Sequence, residues 1–371
     1  MAERRKGGKG IARTRRAEQV AGWACRAEEL ERRVLLSSAI AAFGAQVTFG
    51  AGTSPRSVTT ADVNGDGKLD LVIANAGGNS LSVMLGNGNG TFGGQSIFAV
   101  GSSPYSVTTA DVNRDGRIDL IASNNGGNSV SVLLGNGNGT FLAQQTFTAG
   151  SQARFVASAD VNGDGKPDVV VANYGAGTVS VLLGNGNGTF QAQQTYSAGA
   201  QAASISIGDF NRDGKLDLAV ANKSANTVSV LLGNGNGTFG ARAPFSAGNL
   251  PFSVSSGDVN GDGKLDLVLA EESSNSVGVL LGNGNGTFGN QTTFSVGTVP
   301  AAVVVSDING DGKLDIAAAN YSSNSVSVLL GNGNGSFAAQ KTFGTGAAPF
   351  SITSADVNRD GRVDLLVANG T

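Results

Sequence analysis

The sequence contains no histidine, and its only cysteine is Cys25. The lack of histidine excludes Ser-His-Asp and Cys-His nucleophile arrangements and every histidine-ligated zinc or iron site. One cysteine rules out an intrachain disulfide, so cysteine usage does not settle the redox compartment. Proline is scarce, with seven residues, and no apolar run reaches the length of about eighteen residues that a membrane span requires. Glutamate is scarce too, with seven of the 28 acids, which leaves 21 aspartates.

Glycine, by contrast, fills 57 of 371 positions, while 40% of residues are hydrophobic. The chain is too apolar for disorder and too rich in glycine for a helical fold. Charge is divided along it. Residues 1–42 carry ten Lys or Arg and five Glu (net +5), and residues 43–371 carry fifteen Lys or Arg and 23 acids (net −8). An acidic body speaks against a nucleic-acid partner. The apolar run Val34–Ala45 follows Arg32 and Arg33, which suits the hydrophobic segment of an export signal. Residues 1–42 are therefore expected to be a basic leader, partly a candidate blade strand, and residues 43–371 a repeat domain.

The repeat is regular. A D-V-N-x-D-G-x-x-D-like loop begins at Asp62, Asp111, Asp160, Asp209, Asp258, Asp307 and Asp356, each 49 residues after the last. A G-N-G-N-G-[TS]-F marker keeps the same interval from Gly86 to Gly331. In the second unit the pattern predicts strands at 105–110, 119–123, 129–134 and 144–149, separated by the acidic loop and a Gly/Asn hairpin turn. Four short strands in a unit of this length describe one propeller blade. The expected fold is thus all-β, a seven-bladed β-propeller of four-stranded repeats. A parallel β-helix, with much shorter repeats, is the alternative.

The acidic loop has the chemistry of a calcium site. Calcium takes six to eight hard oxygens, and the loop offers side-chain oxygens at positions 1, 3, 5 and 9 and a backbone carbonyl at position 7. In the first copy these are Asp62, Asn64, Asp66, Asp70 and the carbonyl of Lys68. The following copies supply Asp111, Asn113, Asp115, Asp119 and Arg117, then Asp160, Asn162, Asp164, Asp168 and Lys166. The fourth and fifth supply Asp209, Asn211, Asp213, Asp217 and Lys215, then Asp258, Asn260, Asp262, Asp266 and Lys264. The last two supply Asp307, Asn309, Asp311, Asp315 and Lys313, then Asp356, Asn358, Asp360, Asp364 and Arg362. An Asx-rich turn could use the same residue types without metal. Yet three aspartates in each of seven loops account for all 21 in the chain, a restriction that a turn does not require. Up to seven Ca²⁺ ions are expected, one per repeat.

These loops, with Phe92-Gly93, Phe239-Gly240 and Phe288-Gly289, resemble the FG-GAP/VCBS repeat family, found in the head of integrin α subunits and in bacterial surface proteins. The resemblance spans residues 43–371 and implies a seven-bladed propeller with calcium in hairpin loops on one face. It implies ligand or matrix binding, not catalysis. A second stretch, Leu30-Glu31-Arg32-Arg33-Val34-Leu35-Leu36, resembles the L-E-P-R-x-L-L motif of exported bacterial surface proteins, with Arg32 in place of its proline.

On the face opposite the loops the copies differ, as a recognition surface on a repetitive scaffold would. Candidate ligand residues there are Arg56, Tyr105, Arg154, Phe252 and Phe350 at the start of the first strands, and Tyr174, Lys223, Glu272 and Tyr321 between the second and third strands. Neutral variation of solvated loops would look the same. The expected protein is a monomeric, calcium-binding, secreted or cell-surface module for a protein or carbohydrate partner. A purely structural propeller and a polysaccharide-active enzyme are the alternatives. Finally, the seventh copy reaches Thr371 after its second strand, while Phe43–Ala51 aligns with a fourth strand and Val34–Leu36 with a third. The N-terminal region is thus a candidate for the outer strands of that copy.

Overall fold

The computed structural model describes residues 43–370. Expectations for residues 1–42, the leader and the Val34–Leu36 strand among them, lie outside the described residues. Six copies form four-stranded antiparallel sheets in which each strand pairs with the next in chain order, a topology incompatible with a parallel β-helix. In the first blade the strands are Pro55–Ala61, Asp70–Asn75, Ser80–Met84 and Ser96–Ala99. In the second they are Pro104–Ala110, Asp119–Asn124, Ser129–Leu133 and Gln145–Thr148, within one residue of the pattern read from the sequence.

The burial of each strand follows from its place in the blade. Second strands such as Leu71-Val72-Ile73-Ala74 are apolar on both faces because a neighbouring blade covers each face. All six residues of this strand are buried in every complete blade. Fourth strands are largely exposed except for one aromatic, which turns onto the next blade. Phe98 meets Phe141 edge-on with ring centres 5.2 Å apart, and Phe147–Phe190, Tyr196–Phe239, Phe245–Phe288 and Phe294–Phe337 repeat the contact. Such edge-to-face pairs add to plain burial about 0.5–1.5 kcal/mol each.

The seventh copy corrects the expected architecture. Among the described residues it forms a two-stranded sheet, Pro349–Ala355 with Asp364–Asn369, so these residues make six four-stranded blades, not seven. The physical reason is that a blade needs four paired strands, and among the described residues this copy supplies two. The ring still closes around the partial sheet. Val58 N–H donates to Ser351 Oγ at 3.4 Å, as Val107 does to Ser57 and Val254 to Ser204 between other neighbouring first strands. Phe343 packs on Phe43 and Phe49 on Phe92, both at 5.1 Å, continuing the circle of aromatic pairs.

A buried polar ladder stiffens the first, second, third and sixth blades. Asn75 Nδ2 donates to Ser82 Oγ at 2.8 Å, and Ser82 Oγ donates to Gln95 Oε1 at 2.9 Å. The fifth blade solves the same problem differently. Glu271 replaces the asparagine and Gly278 the serine, while Ser276 Oγ donates to Glu271 at 2.7 Å and Gln291 Nε2 also donates to it. A Cβ on Gly278 would meet the ends of the Gln291 and Glu271 side chains, so the glycine leaves room for the longer acid.

Candidate functional site

The structure offers two regions, the acidic loops at one end of the ring and a cationic aromatic cluster at the other. In the first loop, Asp62 Oδ1 accepts from the N–H of Gly65 and Asp66, and Oδ2 from that of Gly67 at 2.6 Å. Gly67 adopts φ 77°, a left-handed conformation that suits glycine at this sharp bend. Asn64 Oδ1 accepts from Asp66 N–H at 3.0 Å, a bond that recurs at Asn113, Asn162, Asn211, Asn260, Asn309 and Asn358. Lys68 closes onto Asp66, with Nζ 2.9 Å from Oδ2, and Lys166 and Lys264 do the same to Asp164 and Asp262 at 3.0 Å. The lysine hydrogen bond holds each of these three carboxyls below the usual carboxylate range.

Position 9 has a role that sequence reasoning missed. Asp70 is fully buried, with Oδ2 accepting from Val63 N–H at 2.9 Å and Oδ1 from Gly86 N–H at 2.8 Å. It ties the acidic loop to the Gly/Asn turn, and Asp119, Asp168, Asp217, Asp266 and Asp315 repeat both bonds. Burial raises all six carboxyls, against the opposing effect of the two N–H donors, and takes Asp119 to about 6. The signal was present as an invariant spacing of sixteen residues between this aspartate and the first glycine of the turn.

Among the described residues no three acidic side chains stand together as a ready cation cluster. The carboxylates are instead folded onto the loop's own N–H groups. The donor set nevertheless suits calcium, since it consists of hard oxygens and, Asp62 Oδ1 with its two N–H donors apart, an oxygen accepting one N–H keeps a second lone pair. Asp62, Asn64, Asp66, the Lys68 carbonyl and Asp70 are the groups that would hold it.

At the opposite end, the nine candidate ligand residues come together rather than standing apart as solvated loops. Their first-strand members lie side by side round the axis, and small Ala203 and Ala301 let the larger side chains reach across it. The Arg154 guanidinium carbon lies 4.4 Å from the ring centre of Tyr105 and 4.3 Å from those of Tyr174 and Phe252. Its Nη2 donates to Tyr105 Oη at 2.5 Å, while its buried Nε has no partner. Arg56 lies 4.5 Å from the ring centre of Phe350. Phe350 also meets Tyr105, Phe252 and Tyr321 edge-on. Lys223 packs on Phe252 and forms an ion pair with Glu272 at 2.5 Å. Burial raises the Tyr105 phenol above its ordinary range, despite Arg154 nearby. Among the described residues neither Arg56 nor Arg154 has a carboxylate within ion-pair distance.

The FG-GAP-like repeat matches this chain in six overlapping stretches, residues 62–122, 111–171, 160–220, 209–269, 258–318 and 307–367. No curated protein matches it. Among solved structures the chain is similar to an Agrocybe aegerita lectin studied for recognition of non-reducing terminal N-acetylglucosamine. That similarity has 23% identity and a TM-score of 0.55, over 85% of this chain and 86% of that one. It is also similar to BBS1N, solved in complex with ARL6DN, at 14% identity and a TM-score of 0.60 over 86% and 90%. A catalytically inactive virginiamycin B lyase from Staphylococcus aureus shares 15% identity and a TM-score of 0.57 over 85% and 92%. At these identities the likeness concerns the fold alone. A lectin, a protein-binding domain and an enzyme share it, so function has to be argued from the site.

Proposed function

The chain belongs to the FG-GAP-like repeat family, and from that premise we propose that it is a calcium-stabilised binding module of the cell exterior. Its ligand site in this reading is the cationic aromatic cluster at the mouth of the axis. The observation that carries it is the pair Arg56 and Arg154, two guanidiniums held against aromatic rings without a carboxylate partner among the described residues, on a body whose net charge is negative. A partly desolvated guanidinium gains most from a bidentate anion, and tyrosine rings at the rim suit a sugar ring. The ligand class is accordingly an acidic saccharide. Tyr321, 37% exposed, and Tyr174 are the rim residues it would meet first. We read the site as binding rather than catalytic because its one carboxylate, Glu272, is already engaged by Lys223.

Uronate-bearing oligosaccharides and their neutral counterparts, titrated against the calcium-loaded chain, test this reading. The expected result is salt-sensitive binding of the acidic members only, weakened in R56A and R154A. Equal binding of acidic and neutral members, or R56A and R154A proteins that bind as well as the parent, would overturn it.

Calcium in this proposal is structural. When bound, it would neutralise the carboxylates crowded at positions 1, 5 and 9 of each loop and cross-link the loop to the Asp70-type anchor. Weak sites, with Kd on the order of 10⁻⁴–10⁻³ M, suit an extracellular module.

A further inference from the structure

One junction between blades lacks a clamp that the others share. In the turn between second and third strands, Asn79, Asn128, Asn226, Asn275 and Asn324 each sit at φ 48–54°. Their Oδ1 atoms accept from a backbone N–H of the following copy, at Ser103, Gln152, Leu250, Val299 and Ala348, over 2.7–2.9 Å. The third blade, with strands Ala153–Ala159, Asp168–Asn173, Thr178–Leu182 and Gln194–Ser197, has Gly177 at this position. Gly177 keeps the left-handed turn, at φ 64°, but offers no side chain to the fourth blade. The Gln201 N–H, counterpart of the five clamped donors, has no acceptor among the described residues.

The backbone is rearranged around the missing side chain. Gly199 takes φ 145°, and its N–H donates to the Gly177 carbonyl at 3.1 Å, beside that of Ala198 at 3.0 Å. Its counterparts Gly101 and Gly297 donate instead to the hydroxyls of Ser131 and Ser327, both at 3.1 Å. A Cβ on Gly177 would stand 2.7 Å from the Gly199 carbonyl oxygen, so the two glycines belong to one arrangement. At this junction lies an open depression of about 620 Å³, with Gln152, Tyr174, Ala176, Ala200 and Gln201 in its lining and no charged side chain there.

Tyr174 joins the depression to the mouth of the axis. It forms part of the lining, and its ring also carries the Arg154 guanidinium 4.3 Å from its centre. We propose that the depression is a second subsite, which takes a neutral sugar residue linked to the acidic residue held by Arg154. The proposal rests on the reading of the mouth as an acidic-saccharide site. The chemistry of the two places differs. The Gln201 N–H and the amides of Gln152 and Gln201 suit sugar hydroxyls, and the exposed methyls of Ala176 and Ala200 suit the C–H surface of a ring. With no cation in its lining, the depression offers nothing to a second carboxylate.

Titration of the calcium-loaded full-length chain with glucuronate and with a panel of glucuronosyl-hexose disaccharides tests the proposal. At least one disaccharide should bind about tenfold tighter than glucuronate, the scale of one or two added hydrogen bonds. In G177N, where asparagine restores the clamp, that gain should vanish. Nuclear magnetic resonance on the unsubstituted chain keeps the test independent of how the variant folds. The Gln201 amide resonance should shift with the tighter disaccharide and stay in place with glucuronate. The inference would be overturned, and the mouth left as read, by any of three results. These are a panel with no member tighter than glucuronate, a folded G177N that keeps the gain, and a Gln201 amide that the disaccharide leaves unmoved. Glucuronate that binds the parent no better than R154A would overturn the reading of the mouth, and this inference with it.

Discussion

The two ends of the ring treat repetition in opposite ways. At the loop end, every copy presents aspartates at positions 1, 5 and 9, and every complete blade uses the same pair of N–H bonds to its buried aspartate. At the axial mouth, the equivalent first-strand positions read Arg56, Tyr105, Arg154, Ala203, Phe252, Ala301 and Phe350, no two neighbours alike. The difference follows from geometry. Each loop completes its contacts within its own blade and the adjoining sector, so one solution can be repeated. The mouth is shared by all the first strands, and seven identical large side chains would collide there while seven small ones would leave a hole. Repetition is stable where contacts are local, and asymmetry is required where they converge.

Chelation should produce the largest effect and falls on the loop end. Calcium at tenfold over Kd contributes about 1.4 kcal/mol per occupied loop, and the contributions accumulate round the ring. Addition of EGTA should therefore lower the midpoint of thermal unfolding substantially, and an unchanged midpoint would remove calcium from this account. Asp119→Ala comes next. It strands the buried N–H groups of Val112 and Gly135, at a cost of about 1–3 kcal/mol for each orphaned donor. Hydrogen exchange should rise chiefly in residues 105–134, because a repeat couples mainly to its neighbours; loosening spread evenly over all blades would contradict the local character of the loop end.

At the mouth the order of effects reverses, with binding affected more than stability. Arg154→Ala removes a charge-assisted contact worth about 1.5–3 kcal/mol, a loss of roughly tenfold to a hundredfold in affinity for an acidic saccharide. Arg56→Ala should lose a comparable amount, and calorimetric titration would measure both. A large fall in unfolding temperature without loss of affinity would make the mouth a packing cluster instead. The smallest effect concerns Val299, a β-branched residue held at φ 54° just before a first strand. Asparagine tolerates that conformation, so Val299→Asn should stabilise the chain by about 1 kcal/mol at most, visible as a small rise in thermal midpoint.

Much of this was legible in the sequence because it depends on local spacing. The alternation in Ser129–Leu133 and the apolar run in Asp119–Asn124 place strands without knowledge of their neighbours. The anchoring role of Asp119 left only a constant spacing as its trace in the sequence, because its partner Gly135 is brought close by the hairpin between them. The convergence of Arg154 with Phe252 was less accessible still. Those residues are two blades apart, and their contact depends on the curvature of the whole ring. The seven-blade expectation miscounted because a register counts copies, whereas a blade needs all four of its strands.

The fifth blade's exchange of asparagine and serine for Glu271 and Gly278 bears on how such a gene can change. Near-identical repeats invite recombination out of register, and most crossovers here would splice one copy to another without harm. A crossover between codons 271 and 278 would not. One product would join the glutamate to a serine that crowds it, and the other would join an asparagine to a glycine that offers it no hydroxyl. The six codons between them are best inherited as a block, so the repeat array has an unfavourable seam inside one of its own units.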